Sequence, residues 1–361
     1  MDDRAGSEEA ARSLIREMYE AALAAAEPEA AVCRHLHRDG EALVLNGGRW
    51  PVTGRVVVVG AGKAAVAMAR GVERSCGELI DGGLVITKDG HRLPSLPRII
   101  DVVEAAHPIP DHRGVDATRR IIEMLQGLDD GDLVIALVSG GGSALLEAPV
   151  EGVSLEDMAR LTDLLLRAGA PIHDLNAVRA PLSRVKGGGL LQAAGRAPIL
   201  SLILSDVLGN DPRVIASGPT VQAERDGERA LEVLESYGVL SEVPRNVIDT
   251  LKDVERDGNR SQETENGIHV IVADNDTAID AAAEVAHKRG KRVSVLGREK
   301  QGEASLLGAE WVRACREADA GANVLVGGGE ATVAVRGDGV GGRNTEFALA
   351  AAIELGSHTG P

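Results

Sequence analysis

The chain has 361 residues, 44% of them hydrophobic and 26% charged, with a formal charge of −16, an ordinary globular composition and enough length for two cores. That charge, with only one Phe, two Tyr and two Trp, excludes a polyanion-binding surface and a base-stacking platform. Cys33, Cys76 and Cys315 are too few and too scattered for a disulfide framework or a zinc site.

The acidic start Met1-Asp2-Asp3-Arg4 is unlike a signal peptide. No apolar run approaches the ~20 residues of a membrane span. A cytoplasmic protein without nucleic-acid or membrane partners is the expectation. Residues 8–26 then read as an Ala-rich helix with Leu14, Met18 and Ala22 on one stripe. Strands are predicted at 55–59, 83–87, 99–104 and 132–138, with helices at 63–74 and 114–126 between them. Ser154 and Asp157 form a capping-box pattern opening a helix at 155–167, and 198–205 closes the first set of strands. Helices are predicted at 224–237 and 247–255, and the polar stretch 256–266 reads as a surface loop or linker. A second alternation follows: strand 269–273, helix 277–289, strand 292–296, helix 303–317, strand 323–326, a hairpin strand at 332–336 and a last helix at 343–355. His35 and His37 fall on a predicted helix and read as structural.

Four apolar runs end in glycine-rich or acidic turns: 56–59 before Gly60-Ala61-Gly62-Lys63, 133–138 before Ser139-Gly140-Gly141-Gly142-Ser143, 199–204 before Ser205-Asp206, and 323–326 before Gly327-Gly328-Gly329-Glu330. Continuous apolar runs suit parallel strands buried on both faces, and such sheets bind ligands at their carboxyl ends. The class is therefore α/β, and the turns point to a phosphorylated ligand. Gly60-Ala61-Gly62-Lys63-Ala64-Ala65 satisfies G-x-G-x-x-A, but no acid is well placed about 20 residues on, so Lys63 reads better as a cation aimed at an anion. Ser139, Gly140, Gly141, Gly142 and Ser143 form the strongest anion-cradle candidate, with a plain strand-to-helix turn as the alternative. No Walker-type G-x-x-x-x-G-K-[ST] occurs. Asn176, Arg179, Lys186, Gly187 and Gly188 belong to a local reversal of sign suited to phosphate, or else to a solvated helix face. Asp206 and Asp211 offer the carboxylates a magnesium ion uses alongside substrate oxygens, with turn chemistry as the alternative. His107-Pro108-Ile109-Pro110-Asp111-His112 reads as a rigid substrate-binding or structural loop in preference to a metal site. Arg343, after two glycines at a helix start, is placed to stabilise charge on a transferring phosphoryl group.

Taken together, VGAGKAA, HPIPD, SGGGSALLEAP, LNAVR, SRVKGGGL, SDVLGNDPRVIASGPT, GGGEATV and GGRNTE, in this order from about residue 10 to residue 355, resemble the class II glycerate 2-kinases, whose C-terminal part is the MOFRL domain. The resemblance implies a Rossmann-like N-terminal domain with a parallel sheet (residues 1–255), a smaller α/β MOFRL-type domain (residues 267–361) and an active site in the cleft between them. It implies transfer of the ATP γ-phosphoryl group to the 2-hydroxyl of D-glycerate with Mg²⁺. The family's catalytic lysine falls on Lys63 and its catalytic arginine on Arg343. Glu330 joins the nucleotide-binding set, while Asn176, Arg179 and Asp206 form the substrate-binding set. Three departures stand out: Ala180-Pro181 replaces a basic or His-containing pair, Thr345 replaces a common Gln, and a Gly-Thr-Asp-Gly segment expected beyond Pro361 is absent. The chain therefore reads as apparently truncated, with a homo-oligomer or a marginally stable C-terminal domain as the expected consequence. Two other functions stay open: an NAD(P)-dependent hydroxypyruvate reductase, a label some relatives carry, and an inactive nucleotide-binding relative. No general base stands out.

Overall fold

The computed structural model describes residues 2–223, 225–256, 267–318, 321–335, 337 and 339–356. By internal contacts the chain forms two compact units, one from 28–272 and the other from 1–27 together with 273–361.

The larger unit is built on a six-stranded sheet. Its strands are β1 (Val56–Ala61), β2 (Gly82–Lys88), β3 (Ile100–Ala105), β4 (Leu133–Ser139), β5 (Ile199–Leu204) and β6 (Gly267–Ala273), in the order β3-β2-β1-β4-β5-β6. Parallel pairing runs from β3 to β5, with Val57 opposite Gly82, Val56 opposite Leu133 and Val134 opposite Ile199. This 3-2-1-4-5-6 order is that of a doubly wound Rossmann sheet, whose strand order reverses between β1 and β4. Every residue of β1 and β4 is buried, which explains why their sequences carry no polar alternation. One face receives Ala117, Ile121, Ile122 and Leu125 of the helix His112–Gln126, packed with Val57, Val59, Val134 and Ala136. Each such Val, Ile or Leu side chain contributes about 1.5–3 kcal/mol by leaving water. A separate helical core joins Leu155–Arg167, Ile172–Arg179, Gly227–Ser236 and Arg245–Arg256 through Leu161, Val178, Leu234 and Leu251.

The capping box forms as read: Ser154 Oγ accepts from the Asp157 amide at 3.0 Å and Asp157 Oδ2 from the Ser154 amide at 3.0 Å. The helix expected from 224 begins at Gly227, where the Asp226 carboxylate accepts from the amides of Glu228 and Arg229. Residue 224 and most of the expected loop, 257–266, lie outside the described residues. An antiparallel three-stranded sheet, Leu36–Arg38, Ala42–Leu45 and Gly48–Pro51, occupies a stretch given no strand in the sequence reading. It moves His37 from the expected helix into a strand. Asn46 (φ 49°) and Gly47 (φ 85°) make its tight turn.

In the smaller unit the helix Asp2–Ala25 sets Leu14, Met18 and Ala22 against Ala282, Val285 and Ala286 of the helix Asn275–Lys288. Arg289 pairs with Glu17 at 2.7 Å beside this seam. The first helix, grouped from sequence with residues 1–255, thus packs with the C-terminal elements. Val293–Glu303 and Val324–Thr332 form a two-stranded parallel sheet with register shifts. The glycines 327–329, read as a turn, continue the strand. They are small because neighbours occupy the space: a Cβ on Gly327 would stand 2.7 Å from the Trp311 ring, and one on Gly328 2.9 Å from Ile279 Cδ1. The hairpin strand expected at 332–336 does not form over 333–335, and Arg336 lies outside the described residues. Among the described residues no helix is long and apolar enough to cross a membrane.

Candidate functional site

Five strands deliver side chains to the carboxyl edge of the large sheet, around the reversal point between β1 and β4. β4 runs into Ser139, Gly140 and Gly141, and Gly141 takes φ +84°. The amides of Gly141, Gly142 and Ser143 donate to no acceptor among the described residues, so the turn keeps the free N–H groups an anion needs. β1 runs into Lys63, whose amide donates to Gly140 O at 2.9 Å, while the Ala64 amide donates to Ser139 Oγ at 3.2 Å. These bonds lock the two turns together. A side chain on Gly140 would collide with the Asp206 carboxylate from the end of β5, and one on Gly141 would stand 2.9 Å from His107 Nε2 and 3.5 Å from Lys63 Cε. His107, following β3, Lys63 and Asp206 therefore converge over one pair of glycines. None of their polar ends makes a hydrogen bond or ion pair among the described residues. Burial lowers the proton affinity of His107 below the ordinary imidazole value, helped by Lys63, Lys88 and His91 and opposed by Asp206.

Beside these free groups lies a buried network in which Arg179 Nε is left without a partner among the described residues. Ser143 Oγ and Ser217 Oγ are 2.8 Å apart, Ser217 Oγ donates to Asn176 Oδ1 at 2.9 Å, and Arg179 Nη2 donates to the same oxygen at 2.8 Å. Lys186 Nζ donates to Ser143 O at 2.6 Å and pairs with Glu147 Oε2 at 3.1 Å, both side chains being almost wholly buried. Glu147 Oε1 accepts in turn from Ser183 Oγ at 2.7 Å and from the Ala148 amide at 3.0 Å. Burial pushes the Lys186 ammonium down in proton affinity, against the pull of Glu147, and pushes the Arg179 guanidinium down as well. Ala216, Ser217 and Gly218 are all left-handed (φ 51°, 63° and 60°), two of them without the licence of glycine. Such backbone persists where surrounding bonds over-determine it; here the Gly187 and Gly188 amides donate to Ser217 O and Gly218 O at 2.9 and 2.7 Å.

Four of the residues singled out from sequence have partners within the protein. Lys186, read as a phosphate cation, faces Glu147 and the back of the turn. Gly187 and Gly188, read as a cradle, direct their amides to the 217–218 backbone. Asp211, read with Asp206 as a magnesium pair, is gripped by Arg213 Nη2 at 2.8 Å and Nε at 3.0 Å, and Arg213 holds its carboxyl below the ordinary range. Among the described residues no group of three or more His, Cys, Asp or Glu is placed to hold a metal. Glu147 and Ser217 went unnoticed in the sequence; the signal for Glu147 was an acid amid the apolar run Ala144–Leu146 and Ala148, where only a paired charge survives.

In the smaller unit Arg343 opens the helix Arg343–Gly356 and its guanidinium pairs with Glu330 on the strand Val324–Thr332. Both side chains are half exposed, so the pair remains open to competition from a ligand.

Comparison with known proteins narrows the assignment. A family described as a domain of unknown function, DUF4147, matches residues 14–252, and the MOFRL family matches residues 323–360. D-glycerate 2-kinase of Thermotoga maritima is 38% identical over 317 residues, covering 83% of this chain and 72% of its own length. The crystal structure of glycerate kinase from the same organism superposes with a TM-score of 0.84 at 34% identity, over 96% of this chain and 80% of that one. The chain belongs to the class II glycerate 2-kinase family. A protein of Agrobacterium vitis that carries a hydroxypyruvate reductase name is 37% identical over 359 residues, covering 97% of this chain and 78% of its own. In this glycerate 2-kinase family member the end of β2 speaks against a dinucleotide site. The strand closes on Lys88 where a carboxylate would meet a ribose, and Asp89 beyond it is held by Arg113 at 2.7 and 2.8 Å.

Proposed function

We propose that this protein transfers the γ-phosphoryl group of ATP to the 2-hydroxyl of D-glycerate, giving 2-phosphoglycerate and ADP. The observation that carries the reading is the unpaired Lys63 ammonium beside a turn with three free amides, at the reversal point of the sheet. In a chain of charge −16, an anionic substrate needs such local cations. Phosphoryl transfer requires little covalent help from a protein; it requires donors held still where charge spreads over the transferring oxygens. Lys63 supplies one charge and the Gly141–Ser143 amides supply fixed dipoles; Arg343 is the arginine that the family resemblance makes catalytic. Asn176 and Arg179, clamped by Ser217, stiffen the wall of the site that receives glycerate. Asp206 faces the same turn and accepts a substrate hydroxyl. Asp211 pairs with the exposed Arg213, so Asp206 is the carboxylate that this reading sets beside the Mg²⁺ carried by ATP.

The test is identification of the product, by phosphorus NMR, after incubation with ATP, Mg²⁺ and D-glycerate. 2-Phosphoglycerate is expected, and Lys63→Ala should lower kcat by about 10²–10³ while changing the glycerate KM far less. Sole formation of 3-phosphoglycerate, or NADH oxidation on hydroxypyruvate without ATP turnover, would overturn the reading.

A further inference from the structure

The carboxyl edge of the sheet contains a group that the kinase reading leaves idle. His107 meets the Gly140–Gly141 turn from β3. Its Nε2 stands 2.9 Å from the point a Cβ on Gly141 would occupy, and Lys63 Cε stands 3.5 Å from the same point. The imidazole and the ammonium stem that faces the transferring group therefore flank one small space, kept open by the absence of a side chain. Neither ring nitrogen of His107 has a hydrogen-bond partner among the described residues. Of the other polar groups in the region, Ser143, Ser217, Asn176 and Lys186 bond to one another or to Glu147. Arg179 Nε is buried without a partner among the described residues, and Asp206 is the rival acceptor that the experiment below separates from His107.

We propose that His107 accepts the proton of the acceptor hydroxyl as that oxygen attacks the γ-phosphorus. The proposal rests on the kinase reading above and names the base that reading lacks. The hydroxyl oxygen forms the new O–P bond with a lone pair. The bond from the γ-phosphorus to the bridging oxygen breaks, and its electron pair leaves with ADP. The hydroxyl proton passes to Nε2 of His107 and from there to solvent. Imidazole is the side chain whose ordinary proton affinity lies closest to neutrality, which suits a base operating there. The groups facing it on its neighbours are Lys63 after β1, Lys88 and His91 at the end of β2, and Asp206 after β5. The three on β1 and β2 favour the neutral ring, and Asp206 opposes them. With burial added, the balance keeps His107 unprotonated at pH 7 with its lone pair available.

The experiment compares the intact wild-type chain with His107→Gln, His107→Ala and Asp206→Asn, in ATP, Mg²⁺ and D-glycerate across pH 5–9. The wild type should lose kcat/KM on the acid side, at a pH below the ordinary imidazole value of about 6.5. His107→Gln should lower kcat by about 10²–10⁴, with KM changed less than about threefold, and should abolish that acid limb. Added imidazole should restore turnover to His107→Ala, an effect that lost packing alone does not produce; a melting curve and ATP binding like the wild type's exclude misfolding. An active wild type with a His107→Gln variant within threefold of it overturns the assignment of His107 while sparing the kinase reading. So does an acid limb that survives in His107→Gln but vanishes in Asp206→Asn, or a His107→Ala variant that imidazole does not rescue. A wild type that transfers no phosphoryl group to D-glycerate overturns the kinase reading, and the role of His107 falls with it.

Discussion

The buried pair of Lys186 and Glu147 invites a quantitative test. At 3.1 Å and almost no exposure, their attraction at an effective dielectric of about 20 is roughly 5 kcal/mol. Desolvation of both ions opposes it, and removing one partner from such a pair costs about 3–5 kcal/mol because the other is left charged and buried. Against a typical stability of about 5–15 kcal/mol, either Glu147→Leu or Lys186→Met should therefore remove roughly a fifth or more of the total. The double variant should recover much of the loss, since no buried charge remains. Urea denaturation of wild type, both singles and the double gives the coupling energy directly. The double should still turn over slowly, because Lys186 Nζ no longer fixes Ser143 O, the bond measured at 2.6 Å. Single variants losing less than about 1 kcal/mol, or a double variant as unstable as the singles combined, would refute the reasoning.

Arg343→Ala should separate catalysis from stability. Its pairing with Glu330 is half exposed, so its loss should change unfolding free energy by less than about 1 kcal/mol while kcat falls by about 10²–10³; wild-type turnover would remove Arg343 from the mechanism. Gly140→Ala drives a methyl group into the Asp206 carboxylate and should cripple turnover with the fold retained, read by paired kinetics and circular dichroism. A fully active Gly140→Ala would show that Asp206 need not face the turn.

Some of this architecture was legible because burial on both faces writes itself as uninterrupted Val, Ile and Leu: β1, β4 and β5 were placed to within two residues at each end. The turns after them were legible because an unhindered backbone there requires glycine. Three kinds of information were hidden. The stripe of Leu14, Met18 and Ala22 announces that a helix has a partner, but says nothing of which one, and Ala282 and Ala286 are far along the chain. Lys186 next to glycines looks like a phosphate site until Glu147 is seen to have folded onto it. Gly327 and Gly328 look like a turn because sequence cannot distinguish glycine chosen for torsion from glycine chosen to admit Trp311 and Ile279. The sheet at residues 36–51 had a readable signal in Asn46-Gly47, outweighed by strands only three or four residues long.

The packing of Asp2–Ala25 onto Asn275–Lys288 has a consequence for the order in which this protein is made. The Glu17–Arg289 pair joins positions 272 residues apart, so the first helix leaves the ribosome long before its partner exists. Joining such distant points in an open chain would cost about 5 kcal/mol in closure entropy. Folding of the intervening Rossmann unit, residues 28–272, before the helix docks would shorten that effective loop. Until then Leu14, Met18 and Ala22 form an exposed greasy stripe on a nascent chain, a natural handle for chaperones and a point of vulnerability to misassembly. Synthesis that stalls before residue 289 should leave a folded sheet trailing an orphaned N-terminal helix.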